Sequence, residues 1–122
     1  MHIFEAESEN EIREMAECLS CLKNESGTMA DNSRIIGELL RYAHTLKSSS
    51  ATAGFHSLKE MAEALTEIFR AARQGRYEIR TDMIPLLEEA VDACRNLLEK
   101  SDKKEGVPDY RNLLDRLRKV LP

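Results

Sequence analysis

Apolar residues recur every three or four positions along most of this chain, the period of amphipathic helices rather than strands. The first such stretch predicts a helix from about Phe4 to Lys23. Phe4, Ile12, Met15, Ala16, Cys18, Leu19 and Leu22 share its broad apolar face. Glu5, Glu7, Glu9 and Glu11 near its start suit the positive end of a helix dipole. Asn24-Glu25-Ser26-Gly27 reads as a break. A second helix then begins near Asp31, Asn32 or Ser33, all good N-caps. It buries Ile36, Leu39, Ala43, Leu46 and Ser50 and runs to about Ala53, where Gly54 can take the left-handed position that ends a helix.

The third helix is announced by Ser57-Leu58-Lys59-Glu60, the pattern of a capping box. Its stripe is Leu58, Met61, Leu65, Ile68 and Ala72, with Lys59, Glu63, Thr66 and Arg70 as a polar strip and Gly75 as the stop. Thr81 is placed to cap a fourth helix, with Pro85 in its first turn. Ile84, Leu87, Ala90, Val91, Cys94, Leu97 and Leu98 are its core face to about Lys100. After a charged connection, a fifth helix begins near Pro108 and buries Tyr110, Leu113, Leu114, Leu117, Val120 and Leu121. Helices joined by a few residues lie antiparallel. The expected fold is all-α, an up-down antiparallel four-helix bundle with the fifth helix packed against it, forming one domain over 1–122.

Composition narrows the function without naming it. A net charge of −4 argues against nucleic acid or an anionic membrane as the main partner. No run approaches the ~20 apolar residues of a membrane span, and the acidic first residues do not resemble a secretory signal. The expected compartment is the cytoplasm. Cys18 and Cys21 form a C-x-x-C with no second pair or nearby histidine to complete a zinc site, so both read as small core residues. The three histidines do not share the i,i+4 spacing of a metal pair, and His2 and His56 read as solvated. No phosphate-binding glycine loop is present, so no ATP site is expected on this chain.

The candidate chemistry lies in the second helix. At 100° per residue His44 falls roughly 120° from the centre of the apolar stripe, on a flank near water. Arg41 stands three residues before it, and Lys47 and Ser48 three and four after it. All three are its neighbours on a helical surface. An accessible imidazole between two cations suits an anion held against a histidine.

His44-Thr45-Leu46-Lys47, followed by small residues and closed by Gly54-Phe55, resembles the phosphorylation motif of histidine phosphotransfer (HPt) domains. It is most similar to the first domain of chemotaxis histidine kinases, the CheA family. The likeness continues through Ala72-Arg73-Gln74-Gly75 and Thr81-Asp82-Met83-Ile84 and covers nearly the whole chain. The resemblance implies that His44 accepts a phosphoryl group and that Lys47 is the phosphate-side cation, with Arg41 a secondary one. It implies two partners: a kinase domain that holds ATP and Mg, and a response regulator receiver domain whose aspartate takes the group onward. Three positions, Ser48, Ser49 and Thr66, depart from the family pattern, and Glu63 stands where these kinases often have histidine. Ser48 and Ser49 stand where glycines follow the lysine, and Ser48 offers a hydroxyl to a phosphoryl oxygen. Thr66 stands where a glutamate orients the histidine ring, with Glu63 one turn earlier. A free-standing carrier and a helical adaptor that has lost transfer are the alternatives with the same fold. The end of the chain just after a helix suggests a piece of a larger kinase.

Overall fold

The computed structural model describes residues 3–23, 29–76, 78–102 and 110–120. Five α-helices account for most of them: α1 (Ile3–Lys23), α2 (Met29–Ala53), α3 (His56–Arg73), α4 (Ile84–Asp102) and α5 (Arg111–Lys119). A 3-10 turn, Thr81–Met83, leads into α4. No strand occurs among the described residues. The expected break at residues 24–27, the start near Pro108 and Leu121 lie outside them.

Two glycines set the connections on either side of α3. Gly54 has φ +83°, and Phe55 N–H reaches back to the Ser50 carbonyl at 2.9 Å. Gly75 repeats the arrangement at φ +78°, with Arg76 N–H bonded to the Ala71 carbonyl at 3.1 Å. Both are left-handed helix terminations of the kind glycine takes without a steric penalty. Only Gly54 and Phe55 separate α2 from α3, so the chain must reverse there and the two helices pack antiparallel. The Phe55 ring meets Phe4 with centroids 4.9 Å apart, fastening that turn to the start of α1.

The expected capping box is not used. Phe55 is the N-cap of α3 and its carbonyl accepts the first helical bond, from Lys59 N–H at 2.9 Å. The Gly54 turn delivers the chain into the helix two residues early, which leaves Ser57 inside the first turn. Thr81 likewise opens the 3-10 turn rather than capping α4.

The helices pack in the ring α1–α2–α3–α4–α1, with α5 against α3 and α4. An Arg116–Glu89 ion pair at 2.6 Å and a bond from Asn96 Nδ2 to Tyr110 Oη at 3.3 Å join α5 to α4. Because α3 meets α2, α4 and α5, its buried surface is far wider than one stripe. Ala62, Ala64, Thr66, Phe69 and Ala71 are buried beside the expected Leu58, Met61, Leu65 and Ile68, while Ala72 is only half-buried. In α2 the buried isoleucine is Ile35, and Ile36 stands half-exposed. The other expected members, Leu39, Ala43, Leu46 and Ser50, are sealed from solvent. The whole expected core face of α4 is buried. Cys18 and Cys94 are core residues, but Cys21 is exposed. Burial pushes the Cys94 thiol up to about 12, and burial together with Glu38 pushes Cys18 up to about 11. Neither is a nucleophile near neutral pH.

Glu11 is less comfortable at the α1–α2 contact. Its Oε1 is buried without a hydrogen-bond partner, and burial and repulsion from Glu7 raise its pKa above the ordinary 4.5. Attraction to Arg41 only partly offsets this. A carboxyl raised in the folded state stabilises the fold in its protonated form. The contribution is full below the unfolded pKa and is lost as pH rises through the folded one. Glu11→Gln should therefore raise the melting temperature at neutral pH and flatten its dependence on pH just above 4.5. Parallel thermal melts from about pH 4 to pH 8 read this directly. Equal slopes for the two proteins would show that Glu11 is solvated.

Candidate functional site

His44 lies on α2 with its ring exposed, as its flank position requires. Among the described residues no hydrogen bond or ion pair engages the imidazole. The ring opens onto a groove of about 580 Å³ between α2 and α3. From α2 come Arg34, Gly37, Leu40, Arg41, His44 and Thr45, and from α3 come Arg70 and Arg73. Four arginines thus line the groove onto which His44 opens. Arg41 was legible from its spacing and Arg70 from the polar strip of the third helix; Arg34 and Arg73 were not.

These cations differ in what already holds them. Arg34 Nη1 donates to Glu38 Oε1 at 2.9 Å, and Arg70 Nη1 donates to Glu67 Oε1 at 2.8 Å. Arg41 lies over the Tyr42 ring, 4.5 Å from its centroid, a cation–π contact that fixes its direction. Lys47 stands one turn beyond His44, half-buried, with its Nζ 3.9 Å from Glu63 Oε2. At that separation the pair is loose and partly solvated, so the ammonium remains available to an anion.

The register between α2 and α3 follows from two contacts. Lys47 faces Glu63, and Gly37 faces Arg73. Ten residues back along α2 match ten forward along α3, as antiparallel neighbours demand. By that register Thr66 stands opposite His44, at the level the family pattern implies. Thr66 is nevertheless not on a polar strip. It is fully buried, and its Oγ1 donates to the Ala62 carbonyl at 2.7 Å. Its hydroxyl proton is committed one turn back along its own helix, and the widened burial of α3 seals it from the groove. Glu63 is turned to Lys47 and Glu67 to Arg70, so no carboxylate of α3 bonds the ring. Ser48 is exposed one turn beyond His44. It lines a separate depression with Phe4, Glu7, Ser49, Thr52 and Ala53 on the α1 side. The site therefore joins His44 and Arg41 with Arg70 and Arg73, keeps Lys47 adjacent, and leaves Ser48, Glu63 and Thr66 outside the groove.

No three His, Cys, Asp or Glu side chains converge on a metal-sized site among the described residues. None of the described helices is long and apolar enough to cross a membrane.

The chain belongs to the Hpt domain family, whose profile it matches over residues 1–120. It is 29% identical over 120 residues to chemotaxis protein CheA of Borreliella burgdorferi, covering 98% of this chain and 13% of that protein. It is 26% identical over 119 residues to CheA of Bacillus subtilis, covering 94% of this chain and 17% of the relative. Against CheA of Halobacterium salinarum it is 25% identical over 122 residues, covering 99% and 18% respectively. The chain thus spans less than a fifth of the length of these relatives. It is homologous to the phosphotransfer segment of chemotaxis-type histidine kinases.

Proposed function

We propose that His44 is the phosphoryl acceptor and donor of this domain, within a chemotaxis-type histidine kinase. The observation that carries the reading is the exposed, unbonded His44 ring opening onto an arginine-lined groove in a chain of this family. In the first step a ring nitrogen lacking a proton attacks the γ-phosphorus of ATP held by a separate kinase domain. The bond to the bridging oxygen breaks, and ADP leaves with its electron pair. In the second, a carboxylate oxygen of a receiver domain aspartate attacks phosphorus, and the P–N electron pair returns to the ring. Transfer of this kind depends mainly on positioning and on charge that meets the phosphoryl oxygens. In this reading ATP and its Mg come with the partner kinase domain.

Lys47 and Arg41 then have different tasks. Lys47 is a mobile point charge one turn from the ring, suited to a group that must leave again. Arg41, over the Tyr42 ring and lining the groove, is assigned to docking. Lys47→Ala should slow labelling at saturating kinase by about 10-fold, the loss of one transition-state charge contact worth ~1.4 kcal/mol. Arg41→Ala should instead raise the kinase concentration needed for half-maximal rate. Initial rates with γ-labelled ATP and a CheA kinase core separate the two. Equal losses at saturation would refute this division.

A further inference from the structure

Gly37 stands in the interior of a 25-residue helix, where glycine costs ~1 kcal/mol relative to alanine. The structure gives a reason. A Cβ at position 37 would collide with Nη1 of Arg73, which crosses from the last turn of α3 onto the α2 backbone. Arg73 is exposed, and among the described residues no carboxylate pairs with it. Its neighbours Arg34 and Arg70 already donate to glutamates. Arg73 therefore lies against the α2 backbone with its charge available, as does Arg41 over Tyr42.

We infer that Arg73, laid across Gly37, is the side chain by which this domain recognises a carboxylate on an acidic face of the protein that phosphorylates it; this rests on His44 being the acceptor. Gly37 lies seven residues before His44, about 10 Å along the helix, too far for Arg73 to share the phosphoryl group on the ring. Its reach is to the partner's surface beside the reacting groups. A planar guanidinium presents paired donors that match a carboxylate, and the missing side chain at Gly37 leaves room for it against the α2 backbone. Arg73 is thus a positioning residue for the complex, and Gly37 matters because it has no side chain.

The test uses Borreliella burgdorferi CheA lacking the segment that matches this chain, with labelled ATP. Rates are measured against chain concentration, and binding is measured separately by calorimetry. Arg73→Gln should raise KM and Kd about 5- to 30-fold, leave kcat within about twofold, and weaken the salt dependence of binding. Gly37→Ala should reproduce part of that shift although every charge is kept, because the added methyl displaces the Arg73 guanidinium from the α2 backbone. Thermal melts show that both variants are folded, and Arg73→Lys, which keeps charge without the paired donors, should recover only part of the affinity. Unchanged Kd in Arg73→Gln, a fall in kcat alone, or no binding by the unmodified chain would overturn the proposal. Binding without labelling of His44 would refute the acceptor role instead, and the Arg73 shift in Kd would still be read.

Discussion

His44→Gln should abolish acid-labile phosphorylation and leave the fold unchanged. The ring is exposed and makes no hydrogen bond or ion pair among the described residues, so its removal should alter stability by no more than about 0.5 kcal/mol. Glutamine keeps the polarity and approximate length but has no nucleophilic ring nitrogen to form a P–N bond. The expected result is loss of all label above background at a kinase concentration that saturates the unmodified chain, with the same helical circular dichroism. His56 is the useful internal control, since it too is exposed, in the first turn of α3. It lies outside the arginine-lined groove, and His56→Gln should label at the normal rate. Label surviving in His44→Gln, or lost in His56→Gln, would reassign the acceptor.

The largest effect on stability should come from Phe69→Ala. Phe69 is fully buried and heads the large sealed side chains of the core, on the helix that meets α2, α4 and α5. Truncation removes its transfer free energy and leaves a cavity that three packed helices cannot close together. The expected loss is about 3–5 kcal/mol, against a total of roughly 5–15 for a typical domain. Urea melts should show a lower midpoint with little change in slope. Because Arg70 and Arg73 leave the same helix one residue and one turn later, the groove should loosen with it. A loss below about 1 kcal/mol would mean that α3 is not the centre of the bundle.

The path from sequence to this site was uneven, for physical reasons. Periodicity reports one helix face at a time, so it found the core face of α4, which meets the bundle on one side, almost residue for residue. It underestimated α3, whose three neighbours bury Ala62, Ala64, Phe69 and Thr66 as well. The same limit put Thr66 on a polar strip, although threonine readily returns its hydroxyl to its own helix and becomes a core residue. Ile35 and Ile36 are adjacent and equally apolar, and only the angle at which α2 meets its neighbours decides between them. His44, Arg41 and Lys47 were legible because they lie within one turn of each other. Arg70 stood on the expected polar strip, but Arg73 enters the groove through the register of two antiparallel helices, about thirty residues along the chain, and nothing local signals it. Gly37 was the available clue: a helix-interior glycine marks a close approach, here by an arginine of the same chain.

The most direct test of the central claim is to locate the phosphoryl group on the unmodified chain. The protein would be phosphorylated with ATP and the CheA kinase core, digested under alkaline conditions, and the label placed by phosphorus NMR and fragment mass spectrometry. The account predicts a single acid-labile P–N bond on the imidazole of His44. It also predicts that the bond is discharged when a receiver domain is added. A phosphate ester on a serine or threonine such as Ser48, or no label while the equivalent segment of a CheA relative is labelled by the same core, would contradict it.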